Sequence, residues 1–466
     1  MCRMKAVRRR ELRRLGTVRT PLVRMQRNYI IAARVHDPIA GFSNTTIQIG
    51  ECRYLNYSGC DYLGFAGDRD VTNAARRAIL QFGVSARASR VVTGTLTIHL
   101  ELEREIASFL NVEDAVTVPA GWMAGSLAAH AVARNCDRVF IYMNAHASLH
   151  AAARAAGLPV IIVKSTDPVE WKRAVARAKS KAPLTLSDSV SLPDCTFHPL
   201  RELLEIAGAR KGYFIVDDAH GVGIVGKSGR GAAELLNLAG SRFVITGSLS
   251  KAFGSQGGFV AGARDICNEA RMTTLYAGAT PLSPPVAAAA AHAIHLSSGA
   301  RGRELRYQLK MNTAFVAREL TKRNITFVSN PEIPWLAFHG NGARPEALSD
   351  HLYHKGIVAP LVQYAGGPAG GYVRASVNAR HTKKQLQQFV AALADGWRTL
   401  SFLLIAAFML TSCAGGPPRT IITDLAAARE ALVDVRSADP SILVELRYNQ
   451  SDNFMKRNVY HSDRAF

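Results

Sequence analysis

Three residues carry the first chemical suggestion. Asp217 and His220 close an apolar run, YFIVDDAH (213–220). Lys251 follows a second such run, RFVITGSLS (242–250). An acid, an imidazole and a lysine at the ends of successive buried strands lie where open α/β sheets place ligands. A lysine flanked by small residues there could form a Schiff base. Alone, the lysine reads as a solvated amine and the aspartate as a helix cap or turn; their succession favours chemistry. The stretch also hides a competing motif, because Gly221-Val-Gly223-Ile-Val-Gly226 spells G-x-G-x-x-G. A dinucleotide turn needs a helix starting inside the glycines and an acid at the end of the next strand, about 20 residues on. Here KSGRGAAE follows instead, which is further loop.

The elements around these residues alternate. AVTVPA (115–120), VFIYM (139–143), PVIIVK (159–164), YFIVDD (213–218) and RFVITGSLS (242–250) read as strands buried on both faces of a parallel sheet. Helical stretches lie between them, at 99–110, 123–135, 167–180 and 198–212. The pattern is that of a doubly wound α/β domain. A long Ala-rich helix begins after Pro284-Pro285, and a smaller α+β portion runs to about 398. The expected division is a basic arm at 1–45, a large domain at 46–285, a small domain at 286–398 and a foreign tail at 399–466.

The chain has 466 residues and a formal net charge of +21. Residues 1–27 hold ten Arg and Lys against one acid, Glu11. No aromatic residue interleaves these charges. The arm therefore reads as a disordered extension, or as translation upstream of a start at Met25, rather than a nucleic-acid or membrane contact. Seven cysteines include no C-x-x-C pair, which argues against a zinc site or a disulfide framework and suits a reduced, cytoplasmic compartment. His146 and His150 are an i, i+4 pair that could ligate a metal, but no third ligand is evident. The apolar run in TLSFLLIAAFMLTSCAGG (399–416) is too short to span a bilayer and has the length of a signal h-region. Leu410-Thr411-Ser412-Cys413 resembles a lipoprotein cleavage box, and 442–460 resembles the start of D-alanyl-D-alanine dipeptidases. A signal in mid-chain points to a fusion of two reading frames near 398–401. The competing reading is an apolar C-terminal helix.

VDDAHGVGIVGKSGRG together with TGSLSKAFGSQGGFVAG resembles the α-oxoamine synthase family of pyridoxal-phosphate (PLP)-dependent acyltransferases. Further matches are LNYSGCDYLGFAG (55–67), GTLTIHLELEREIASFL (94–110), AGWMAG (120–125), AHASLHAAARAAG (145–157), SDSVSLPDCTFHPL (187–200) and VRASVNARHT (373–382). The resemblance covers about residues 50–398 and implies fold type I, an α/β PLP transferase with a mostly parallel sheet. It implies that Lys251 holds PLP and shuttles a proton, and that Asp217 pairs with the ring nitrogen. His220 would bond the ring's phenolic oxygen and His146 would stack on its face. Gly121 and Trp122, opening a helix, would bind the phosphate together with Ser248. Ser191 would lie near the cofactor, and Thr280 would reach the phosphate of a partner subunit, because the family forms homodimers with shared sites. Arg374 would bind the amino-acid carboxylate. The implied substrates are a small amino acid and an acyl-CoA, with no nucleic acid and no membrane for 46–398. An aminotransferase or aldolase on the same fold, or a non-catalytic partner subunit, are the alternatives. Three departures bear on substrate. Cys60 stands where many members have Asn, near the carboxylate. GVSARASR (83–90) replaces a glycine-rich run, and Leu361 takes a position where a small hydroxyl residue is usual.

Overall fold

The computed structural model describes residues 38–192, 194–339, 344–364 and 366–413, the side chains of 401–413 excepted. The basic arm up to residue 37, with Glu11 and Met25, and the tail from 414 onward lie outside the described residues. The chain opens with three short strands, β1 (Ile39–Phe42), β2 (Thr46–Ile49) and β3 (Cys52–Asn56). The central sheet uses β4 (Asp114–Val118), β5 (Arg138–Tyr142), β6 (Val160–Val163), β7 (Pro183–Asp188), β8 (Tyr213–Asp217), β9 (Phe243–Ser248) and β10 (Gly258–Gly262). Its seven strands run in the order β4-β10-β9-β8-β7-β5-β6. β6, β5, β7, β8 and β9 are parallel, whereas β10 is antiparallel to both β9 and β4.

Alternation within the apolar runs shows why both faces are covered. Phe214 and Val216 of β8 point into one core, and Ile215 points into the other. Phe243 and Ile245 divide from Val244 in the same way in β9, as do Phe259 and Ala261 from Val260 in β10. The helices that bury these faces include Gly121–Val132 on one side and Pro284–Ser298, packed on Arg69–Phe82 and Thr97–Leu110, on the other. The Ala-rich helix starts, as its sequence suggests, with proline in its first turn.

Two expectations need correction. The run at 115–120 forms β4, which is buried and points the same way as β9, but it lies at the sheet edge and its one neighbour is the reversed strand β10 rather than a parallel strand. The run at 159–164 forms β6, but this strand is the opposite edge, and Val160 and Ile162 are exposed rather than buried on both faces. An apolar run alone does not say whether a strand has one neighbour or two.

The small portion is built on β11 (Trp335–Phe338), β12 (Ile357–Val358), β13 (Leu361–Val362) and β14 (Tyr372–Ser376). β11, β14 and β13 form an antiparallel sheet. β12 pairs in parallel with β3, so residues 39–56 hydrogen-bond to the C-terminal portion. The last helix runs Lys383–Cys413, so 399–413 continue it without a break. Among the described residues no helix is long and apolar enough to cross a membrane.

The glycine run after β8 has a structural reason that is not a nucleotide. It wraps the buried carboxylate of Asp218, whose Oδ2 accepts the N–H of Ala232 at 2.7 Å. A Cβ on Gly221 would lie 2.1 Å from Asp218 Oδ1, and one on Gly231 would lie 1.9 Å from Oδ2. Gly231 also has φ +87°, a left-handed value that an L side chain resists. Gly231→Ala is therefore expected to destabilise the protein by roughly 2–4 kcal/mol, seen as a lowered thermal midpoint at pH 7. An unchanged midpoint would show that the loop relaxes freely.

Candidate active site

The parallel strands deliver their last residues to one edge of the sheet. Asp188 closes β7 directly opposite Asp217, which closes β8, and Asp217 is level with Thr246 of β9. Lys251 lies three residues beyond the end of β9, in a turn closed by Gly254 N–H to the Lys251 carbonyl at 2.9 Å and Leu249 N–H to Gly257 at 2.9 Å. Burial pushes the Lys251 amine below its ordinary value, while Cys60 and Asp217 pull it back up and Arg374 adds to the depression. The result is an amine that more readily gives up its proton, the form a nucleophile needs.

The two histidines flank this amine. His146 caps the helix Ala147–Ala155, and its backbone N–H donates to Asp188 Oδ2 at 2.9 Å. Its Nδ1 shares a hydrogen bond with Ser148 Oγ at 2.7 Å. Burial lowers its pKa, with Asp217 opposing and Lys251 reinforcing the effect. His220 shares a 2.9 Å hydrogen bond between Nδ1 and the Tyr62 hydroxyl, and its ring meets Trp335 edge-on at 5.0 Å. Burial, then Lys251, push it well below the ordinary imidazole range, so it stays neutral. His150 is engaged separately, through Nε2 with the Met143 carbonyl at 3.2 Å. The described residues hold no cluster of three or more metal-ligating side chains.

Asp188 was not among the residues singled out from sequence. Burial, then the charge of Asp217, raise its carboxyl from 3.8 to about 7. The sign follows from linkage. A carboxyl more basic in the fold than in the unfolded chain takes up a proton on folding. The ionised form then costs stability progressively from about pH 4, and fully above about pH 7. The cost is up to about 4 kcal/mol at about 1.4 kcal/mol per tenfold change in proton affinity. Asp188→Asn keeps an acceptor for His146 and drops the charge. Its apoprotein should unfold at a higher temperature than wild type at pH 8, and at nearly the same temperature at pH 4. A lower midpoint at pH 8 would contradict this.

An uncapped helix start packs against Ser248, three residues before Lys251. The helix Gly121–Val132 starts without any side-chain cap. Gly121 packs so close to Ser248 that an added Cβ would sit 3.0 Å from its Oγ, and a Cβ on Gly258 would sit 2.5 Å from Gly121 Cα. Ser248 Oγ is 2.7 Å from Ser250 Oγ, so a second hydroxyl stands beside the one that packs on Gly121. Uncapped N–H groups with paired hydroxyls suit an anion. Trp122, half exposed, meets the His146 ring edge-on at 5.7 Å. Ser191 lies in the turn after β7, with its N–H donating to Thr196 at 2.8 Å. Thr280 is exposed in the segment before Pro284–Ser298 and makes no side-chain hydrogen bond within the described chain.

Arg374 completes the wall. It sits in β14, only 8% exposed. Nη1 donates to the Tyr364 hydroxyl at 3.3 Å, and Nη2 is 4.0 Å from Cys60 Sγ. No carboxylate of the described residues pairs with it, and its Nε is buried without a partner. Leu361 lies one strand away, in β13 opposite Val373.

An α/β fold with a half-buried lysine at the carboxyl edge of its sheet, an acid on the neighbouring strand and an anion cradle defines a transferase of the PLP-dependent fold type I class. Residues 54–393 match the family model "Aminotransferase class I and II". A putative 8-amino-7-oxononanoate synthase of Rippkaea orientalis is 31% identical over 360 residues, covering 76% of this chain and 93% of that protein. The 8-amino-7-oxononanoate synthase of Thermosipho melanesiensis is 30% identical over 339 residues, covering 72% and 86%. A solved serine palmitoyltransferase from S. paucimobilis superposes with a TM-score of 0.73 at 22% identity, covering 82% of this chain and 97% of that one, and shares the fold. The chain belongs to the class I and II aminotransferase family and, within it, to the α-oxoamine synthases, a PLP-dependent group of acyltransferases.

Proposed function

We propose that this chain condenses a small amino acid with an acyl-CoA on PLP held by Lys251. The products would be an α-amino ketone, CO2 and CoA. The observation that carries this reading is the pairing of an amine of lowered basicity, Lys251, with a buried guanidinium, Arg374, that has no carboxylate partner among the described residues. A buried cation without an anion is costly, and a substrate carboxylate would satisfy it.

The residues present fit PLP. Gly121, Trp122 and Ser248 would take its phosphate, Asp217 its ring nitrogen, His220 its ring oxygen, and His146 its open face. PLP supplies an electron sink for the electrons left at the amino acid's α-carbon. Lys251 would take the α-proton and later return it. Asp217 would hold a proton on the ring nitrogen by its charge. Tyr62 would fix the His220 tautomer through their shared hydrogen bond. Arg374 would orient the carboxylate that leaves as CO2. The thioester C–S bond breaks as the new C–C bond forms, and the sulfur leaves as CoA thiol.

A homodimer with shared sites suits the surface. Leu80, Val84, Val92 and Met272 are strongly exposed apolar side chains that a second copy would cover. Thr280, exposed in this chain, would reach the phosphate held by that copy.

The test incubates the PLP-loaded protein with glycine, alanine, serine and 2-aminobutyrate against a series of acyl-CoAs. Free thiol and CO2 are both measured. Equal release of the two, dependent on both substrates, is expected. A keto acid formed without thiol would make the chain an aminotransferase instead.

A further inference from the structure

We propose that Tyr364 is a second ligand for the substrate α-carboxylate, forming with Arg374 a clamp of one phenol and one guanidinium. This deepens the reading above and rests on it. Tyr364 is not part of any of the stretches by which the sequence resembles its family.

A guanidinium has N–H groups and no acceptor, so in the 3.3 Å contact Arg374 Nη1 donates and the Tyr364 oxygen accepts. The phenol proton is then left to donate elsewhere. The same logic applies at Cys60, whose sulfur lies 4.0 Å from Nη2. Both contacts sit at the long limit for their atom types, so neither is a strong charge-assisted bond. Tyr364 also places its ring 5.8 Å from the guanidinium carbon, which keeps the two side chains together. Around one buried cation there are thus a phenol, the Cys60 sulfur and spare N–H groups, and no carboxylate among the described residues. That set is rich in donors and poor in acceptors. A carboxylate answers it, with one oxygen on the guanidinium and the other on the phenol.

Two residues after Tyr364 the chain packs on the loop before His146. Gly366 has φ +77° and packs against Asn144, where an added Cβ would lie 2.6 Å from Nδ2. Asn144 donates to the Tyr142 hydroxyl at 3.0 Å, and stands two residues before His146.

The experiment compares acids with their carboxamides. The PLP-loaded enzyme is titrated by visible absorbance with glycine, L-alanine, L-serine and L-2-aminobutyrate. Each is matched with its carboxamide, and the pair whose acid binds wild type most tightly is used. Tyr364→Phe should weaken the acid about tenfold and leave the amide within about twofold. Equal weakening of acid and amide would reduce Tyr364 to a packing role, and an unchanged acid affinity would remove it from the site; either result overturns the proposal. Arg374→Ala separates this from the parent reading. If Arg374→Ala still prefers acid over amide, the carboxylate site itself is misplaced. If it loses the preference while Tyr364→Phe keeps it in full, only the Tyr364 assignment fails.

Discussion

Lys251→Ala should cut CoA release by about 10⁴-fold and leave a protein that binds PLP without a covalent bond. The expected loss is large because two roles end together: holding the cofactor and moving the α-proton. The environment of Lys251 argues for both. Burial lowers its affinity for a proton, while Asp217, Cys60 and Asp188 oppose that shift, so the amine is neither locked as ammonium nor left without electrostatic support. The turn that carries it is fixed by main-chain hydrogen bonds at Lys251, Leu249 and Ser255, so removing the side chain should not unfold the site. Borohydride reduction followed by intact-mass measurement gives the decisive readout. Wild type should gain the mass of one reduced cofactor, and Lys251→Ala should gain none. Cofactor mass retained in the variant would place the Schiff base on another amine.

The parts of this site that sequence revealed are those that follow a strand in the chain. Asp217, His220 and Lys251 were legible because an apolar run ends and polar or small residues follow at once. His146 and Ser248 were legible through the matched stretches around them. Tyr62 was not singled out, because its role depends on a partner 158 residues away, His220. Asp188 lay inside a quoted stretch, yet nothing local says that it faces Asp217. That follows only from the register of β7 on β8. β7 itself was passed over, since PLTLSD mixes polar residues into the run while its Thr185 and Ser187 are buried. The edge position of β4 was equally hidden, because its one neighbour, β10, is contributed from about 140 residues later and runs the other way. The loop after the glycine run already spoke against a dinucleotide turn in sequence; that Gly221 and Gly231 close on the buried carboxylate of Asp218 is visible only in the structure. The apolar segment at 399–413 continues the final helix in space, a continuity that neither its composition nor its motif announces.

Asp217→Asn should lower CoA release by about 10³-fold with little change in fold. The substitution keeps the shape and removes one charge. The one side-chain hydrogen bond described for Asp217 accepts the N–H of Ala219 at 3.1 Å, which an asparagine oxygen can also accept. What is lost is the anion that would hold a proton on the cofactor's ring nitrogen. A neutral ring withdraws electrons far less, so the barrier to losing the α-proton rises, at about 1.4 kcal/mol per tenfold. The charge is also felt by groups that titrate without cofactor. Asp217 raises the proton affinity of both His146 and Lys251 against their burial, and it raises Asp188 as a like charge. In the apoprotein, Asp217→Asn should therefore move the His146 titration further down, and should bring Asp188 back toward the ordinary carboxyl range. Proton and carbon NMR titrations of the labelled apoprotein would follow both. If activity falls while neither group moves, the charge of Asp217 acts on the cofactor alone. If both groups move while activity is unchanged, Asp217 is a structural member of a carboxylate pair, and the ring nitrogen has another partner.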